Sequence, residues 1–265
     1  MKAIDFEFDN KKLSEFGMIL CQFGGSKGLD TVTDGAPISF DTVPTMNGLK
    51  HNLTSVSYED CLEATWQICK HSCNGGIQEI TPVEHRKLTA WLCRKGFLKL
   101  KILDESHIDL YHEAKIDVSR IEIDGKIYGF ELAVTTNRPF ALKEPKSIMI
   151  NNTVANGKHS INDISDEEGY IYPEMEITIK ENGHLKIHNA IENRDTYIAN
   201  CVAGEVIKMD YPIIQSSISS HNIQNDFNWT FFRVANTYDN SRNDLIISLP
   251  CSIKIKYSPI VKVGL

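Results

Sequence analysis

The chain lacks the features by which most activities announce themselves. No GxSxG, HExxH, GxGxxG, P-loop or EF-hand loop occurs in its 265 residues. Those spacings exist because a nucleophile elbow, a zinc pair, a phosphate cradle or a calcium loop requires them. Apolar runs are only a few residues long, so no membrane-spanning helix and no membrane partner are expected. The opening "MKAIDFEFDN" has no apolar core of a signal peptide, which speaks against Sec-type export. Positive charge is also in deficit, with 28 Lys+Arg against 35 Asp+Glu and a net charge of -7. Residues 1–141 carry 16 basic against 20 acidic side chains, and the remainder 12 against 15. Neither part has the basic face that gripping phosphates needs, which excludes nucleic acid as a specific ligand.

Cysteine is present but in an odd number without framework spacing: Cys21, Cys61, Cys69, Cys73, Cys93, Cys201 and Cys251. That pattern suits buried free thiols and folding in a reducing compartment rather than a disulfide scaffold. "CKHSC", with Cys69, His71 and Cys73, departs from CxxC and has no matching second pair, so no metal or cofactor is expected from it.

What the sequence does contain is mostly β pattern around a single strong helix signal. In "EITPVEHRKLTAWLCRKGFLKL", Thr81 caps, Pro82 fits the first helical position and Glu84 completes a capping box. Leu88, Trp91 and Leu92 share one side, and Gly96 is placed to end the helix, giving a helix over about 81–95 with Trp91 anchoring it to a sheet. "IDFEFD" alternates Ile4, Phe6 and Phe8 against acids, and "NLTSVSYEDCLEATWQICK" reads as one long β stretch. Ile121 and Ile123, the Asp124-Gly125 turn, then Tyr128, Phe130 and Leu132 make a β-hairpin. Pro139 and Pro145 bracket a polar connector, dividing the chain into domains 1–141 and 142–265. Beyond it, short strands separated by turns such as "KENGH" and "IENRD" indicate a β-sandwich or barrel.

Candidate site residues are sparse. His184 and His188 in "HLKIH" share a strand face, which fits a solvated surface better than a metal site lacking further ligands. The acidic "NDISDEEG" lacks alternate-position ligands for calcium and reads as a solvated loop. Glu174 and Glu176 lie on one strand, where paired acids face solvent more simply than they line a cleft. Trp229, Phe231, Phe232 and Tyr238 cluster, as core aromatics do. If exposed, Trp229 and Tyr238 are the candidate glycan or partner contacts. Gly24, Gly25, Lys27 and Gly28 in "FGGSKGLD" form either a surface loop or an arm reaching a neighbouring subunit. The residue chemistry contains no catalytic constellation and favours a binding or structural protein.

Four stretches, in order along nearly the whole chain, resemble the distal tail protein family of long-tailed bacteriophages and prophages. They are "FEFDNKKLSEFGMIL", "ITPVEHRKLTAWL", "LYHEAKIDVSRIEIDGKIYGFELAVTTNRPFA" and "NDLIISLPCSIKIKYSPIVKV". The resemblance implies a mainly β fold. Its N-terminal part would be a tail-tube-like β-barrel or sandwich with the helix outside. A galectin-like or carbohydrate-module-like β-sandwich would follow. It implies a non-enzymatic virion protein, made in the host cytoplasm, that forms a homohexameric ring between tail tube and baseplate. Domain 1–141 would form the ring and 142–265 would project outward. Implied partners are further copies of itself, the tail tube protein, a hub or lysin protein, and receptor-binding or baseplate proteins. DNA would pass through a lumen lined by polar and acidic residues without specific binding. The alternative is a glycan-binding sandwich protein that recognises a host surface.

Overall fold

The computed structural model describes residues 5–23, 35–70, 78–237 and 239–265. The chain divides into two compact units, Met1–Leu142 with Val261–Leu265, and Lys143–Ile260. The last five residues thus fold with the first unit. Leu265 packs on its core, His107 Nε2 lies 3.3 Å from the Gly264 carbonyl, and the strand Ile260–Val261 pairs with Ala141–Lys143.

The first unit is built on an antiparallel sheet whose path runs Lys11–Lys12, Phe6–Phe8, Leu98–Ile102, Leu110–Ile123, Lys126–Thr136, Glu63–Lys70 and Met18–Cys21. The path is open and does not close into a barrel. The Asp124-Gly125 turn forms as its sequence predicts. Both residues take positive φ, 51° and 74°, the geometry that lets a two-residue hairpin follow the natural twist of its strands. Phe130 and Leu132 on the returning strand are fully buried.

The helix spans Pro82–Leu92. Glu84 N donates to Thr81 Oγ1 at 3.3 Å and Thr81 N to Glu84 Oε2 at 2.8 Å, so the capping box is formed at both ends. The helix stops at Leu92 rather than near 95. Its last turn bonds Cys93 N to Thr89 O at 2.9 Å, and the Arg94 side chain turns to an ion pair with Asp9 at 3.2 Å. Gly96, at φ 128°, instead shapes the entry into the strand at Leu98. Trp91 joins helix and sheet. It is buried, its indole N–H donates to the Phe8 carbonyl at 2.8 Å, and its ring stacks at 4.3 Å on Phe16 and 5.9 Å on Phe6.

The second unit is a β-sandwich. One sheet orders Lys146–Asn152, Cys251–Tyr257, Glu174–Ile179, Val206–Asp210 and Ile213–Ser216. The other orders Gly157–Asn162, Arg242–Ile247, Gly183–Asn189 and Arg194–Cys201. Strict alternation sends Met175, Ile177 and Ile179 from one sheet, and Leu185, Ile187, Ile198, Leu245 and Ile247 from the other, into one core. Asn152 is buried within it. Its Nδ2 donates to the carbonyls of Val154 and Leu249, both at 2.9 Å, so its burial leaves no orphan donor. A small sheet pairs Gly169–Ile171 with Val234–Asn236, and a helical turn spans Ile223–Asp226.

The cysteines in the described residues are free thiols. Cys201 and Cys251 are buried, whereas Cys93 is exposed and Cys21, Cys61 and Cys69 are half-buried, so burial is less general than expected.

Candidate functional site

Most of the first unit follows the rule that apolar side chains go inside. One element reverses it. The stretch 52–70, read as one, falls in two strands, His51–Tyr58 and Glu63–Lys70. The first pairs only with Ile38–Pro44, making a two-stranded hairpin separate from the other sheets among the described residues. Its turn contains Asn47-Gly48, with Gly48 at φ 67°, a hairpin signal that reading 52–70 as one strand obscures.

The hairpin is amphipathic and its apolar side is uncovered. Ile38 opposes Tyr58 and Phe40 opposes Val56, while Ser39 with Ser57 and Asp41 with Ser55 take the alternate face. Ser55 Oγ donates to Asp41 Oδ2 at 2.5 Å across that polar side. Phe40 is 62% exposed, and Ile38, Leu53, Val56 and the turn residues Met46 and Leu49 are exposed as well, as is Val43 on the alternate face. A lone two-stranded hairpin is marginal in water, and a contiguous apolar patch of this kind marks an interaction surface.

The second unit carries a run of aromatic side chains from its core to its margin. A continuous series of ring contacts runs Tyr170–Tyr172 (5.5 Å), Tyr172–Tyr211 (4.1 Å), Tyr211–Phe231 (5.3 Å) and Phe231–Trp229 (6.5 Å). Phe231 and Phe232 are core residues as expected, but Trp229 is 58% exposed. Arg233 stiffens this margin. Its guanidinium lies 3.7 Å from the centre of the Tyr170 ring, and its Nε donates to both Glu192 carboxylate oxygens at 2.7 and 2.9 Å. The Glu192 carboxylate, ahead of the opposing effect of burial, holds the Arg233 guanidinium above its ordinary value.

A buried polar cluster sits under the Trp229 turn. Glu205 and His221 are buried, with His221 Nδ1 2.6 Å from Glu205 Oε1 and His221 Nε2 3.2 Å from Asp226 Oδ2. Burial alone would raise the Glu205 carboxyl. The Ser216 hydroxyl at 2.5 Å, the Val202 N–H at 3.0 Å and His221 outweigh it, so the group lies below the usual carboxylate range.

The remaining predicted residues are not gathered into a site. Tyr238, and Gly24, Gly25, Lys27 and Gly28 of the candidate arm, lie outside the described residues, as do His71 and Cys73. His184 and His188 do share the outer face, and His188 Nδ1 pairs with Asp195 at 2.7 Å. Glu174 and Glu176 face solvent and pair across strands with Lys256 at 3.2 Å and Lys208 at 3.7 Å. Asp163 departs from the solvated-loop reading. It is buried, and its Oδ1 accepts from Ile164 N and Ser165 Oγ at 2.8 and 3.0 Å to fix a turn. Among the described residues, no three His, Cys, Asp or Glu side chains are grouped as metal ligands.

Comparison with known proteins gives the following. A family model described as a phage tail protein N-terminal domain matches residues 1–138, and one described as a phage tail C-terminal domain matches residues 140–257. Among solved structures, the fold is similar to the Dit protein (gp 19.1) of phage SPP1, whose structure is titled a paradigm of the hub adsorption apparatus in phages infecting Gram-positive bacteria. The TM-score is 0.62 at 10% sequence identity, over 97% of this chain and 99% of that one. No curated protein matches the chain.

Proposed function

This chain belongs to a family of phage tail proteins, and we propose that it serves the tail as a non-enzymatic hub. In this reading the first unit assembles into a ring, a hexamer, between tail tube and baseplate, and the second projects outward. The ring docks the tail tube protein on one side and hub, lysin or receptor-binding proteins on the other. The protein is made in the host cytoplasm and ends in the virion at the tail tip. DNA passes through a polar, acidic lumen without being gripped, consistent with the acidic balance of both parts of the chain. The likeness in fold to the SPP1 hub protein supports this reading.

The observation that carries it is the uncovered hairpin Ile38–Pro44 with His51–Tyr58. In a ring of identical subunits each copy offers one patch and receives a different one, so an apolar element unsatisfied by its own core is what such a contact needs. The test is light scattering across a concentration series for the natural chain and for a Phe40→Ser, Leu53→Ser variant. The natural chain is expected to give a six-fold or twelve-fold mass and the variant a folded monomer. Equal masses for the two would sink the hairpin contact. A natural chain that stays monomeric even with added tail tube protein would sink the ring.

A further inference from the structure

Sequence alternation and structure disagree at Trp229. Phe227, Trp229 and Phe231 are spaced by two, so regular strand backbone would point all three the same way. Phe227 and Phe231 are buried, yet Trp229 between them is exposed. The cause is its backbone, at φ 57°. A bulky side chain adopts this left-handed conformation only at a cost on the order of 1–3 kcal/mol. Turning the indole outward also forgoes roughly 2 kcal/mol of burial available to a large apolar side chain.

The surroundings hold that conformation in place. Asn228 Oδ1 accepts from Tyr197 N at 3.2 Å and Thr230 N at 3.1 Å, and its Nδ2 donates to the Asp195 carbonyl at 3.0 Å. The Asn228 N–H donates in turn to the Tyr197 carbonyl at 3.1 Å. Three residues before Trp229, Asp226 is fixed by Asn200 Nδ2 at 3.0 Å and lies 3.2 Å from Nε2 of His221, itself held by Glu205. A strained backbone clamped on both sides keeps one ring in solvent in a set orientation, as recognition sites require.

The strand that Asn228 joins to the turn selects the ligand class. Asn228 ties the turn to the edge strand Arg194–Cys201, whose outward side chains include Asp195 and Tyr197. Lys186 Nζ lies 2.8 Å from Asp195 Oδ2 and His188 Nδ1 2.7 Å from Asp195 Oδ1. The strand beside the turn therefore presents ionic and hydroxyl-bearing side chains, unlike the aliphatic hairpin of the first unit. A pyranose has the complementary chemistry, a face of C–H bonds rimmed by hydroxyls. The indole can stack on that face while a carboxylate and its cationic neighbours engage the rim.

We propose that the Trp229 turn and the adjoining edge strand form a saccharide-binding site. The indole carries the sugar ring, and Asp195, Lys186 and Tyr197 take its hydroxyls. Tyr211, 54% exposed and joined to Trp229 through Phe231, offers a second ring to a longer glycan. This inference does not rest on the ring reading.

The chain supplies its own probe. Of its three tryptophans, Trp66 and Trp91 are buried, so the solvent-exposed indole emission belongs to Trp229. The intact protein is titrated with galactose, glucose, N-acetylglucosamine and rhamnose, and with oligosaccharides of each. At least one series is expected to give a saturable blue shift in the millimolar range typical of a shallow single site. The same ligand, followed by calorimetric titration, should lose at least about tenfold in affinity in Trp229→Ala, equivalent to about 1.4 kcal/mol. Trp229→Tyr should retain binding and Asp195→Asn should weaken it. No saturable shift with any sugar overturns the proposal, as does affinity unchanged in Trp229→Ala. If Trp229→Ala instead lowers the light-scattering mass and binds sugar as before, the indole is a protein contact. A fall in mass caused only by the hairpin variant leaves the saccharide site standing.

Discussion

The two units weight aromatic and aliphatic side chains differently. In the first, Phe6, Phe8, Trp66, Trp91 and Phe130 fill the centre, and the uncovered apolar surface is a hairpin carrying mainly aliphatic side chains. In the second, isoleucines such as Ile177, Ile187, Ile207, Ile247 and Ile253 fill the centre, and the rings of Tyr170, Tyr211 and Trp229 reach the surface beside charged groups. Aliphatic surface is non-directional and suits permanent contact with a matching protein. An oriented ring with a polar border suits a small ligand that must be recognised and released. In the proposed reading, the chemistry of the two surfaces separates assembly from recognition within one tail protein.

The contrast is broken most severely at its aromatic centre. Trp91→Ala should destabilise the first unit by about 3–5 kcal/mol, since it removes a large buried ring and leaves the Phe8 carbonyl without its donor. Trp66 remains in that core to report unfolding by fluorescence in denaturant, and the second unit's near-ultraviolet signal from its tyrosines should persist. Simultaneous loss of both units would show that they are not independent.

Acid should separate the units next. His112 is buried in the first unit, and both ring nitrogens lack a hydrogen-bond partner among the described residues. Desolvation, with a lesser push from His107, lowers it from 6.5 to about 4. Below pH 6.5 the unfolded chain takes up a proton that the folded one refuses, so stability present above pH 6.5 is lost as pH falls towards 4, by about 3 kcal/mol. In the second unit Glu205 lies below its ordinary value, so its contribution is present above that value and is lost only at lower pH still. Melting at pH 7 and pH 4.5 should therefore show the first unit weakening before the second. His112→Leu should abolish most of that drop and raise the midpoint at both pH values. An unchanged pH profile in that variant would exclude His112 as the cause.

The smallest expected effect is at the helix start. Thr81→Ala removes the cap on Glu84 N and should cost about 1 kcal/mol, read as a lowered denaturant midpoint with unchanged slope. Asn228→Ala should leave global stability nearly as unaffected, because the side chain is exposed, while freeing Trp229 to move. A narrowed difference between the Trp229 emission and that of a free indole would check it.

Local chemistry was legible in the sequence wherever one signal acted alone. The Thr81-Pro82-Glu84 start and the Asp124-Gly125 turn are each decided within a few residues, and both form as expected. The helix end was not decided locally: beyond it Arg94 pairs with Asp9, in a turn far back in the chain. The exposed hairpin was signalled by Asn47-Gly48, but its lack of a covering partner is a property of the whole fold. The aromatic cluster around Trp229 left open whether its ring is core or exposed. Only the bonds made by Asn228 and Asp226 to strands far along the chain set its direction. The open sheet in place of a barrel, and the return of Val261–Leu265 to the first unit, likewise depend on pairings that periodicity does not encode.

That return changes what the second unit is in mechanical terms. Its sequence leaves the first unit after Leu142 and re-enters it at Val261, so it is held by the chain at one end and by the docked residues Val261–Leu265 at the other. A pull on it is carried by the backbone at Leu142 and, at its other end, by the packing that holds Val261–Leu265 on the first unit. The same double join makes it an exchangeable cassette. A different sandwich with closely spaced ends could replace it while every strand of the first unit keeps its neighbours.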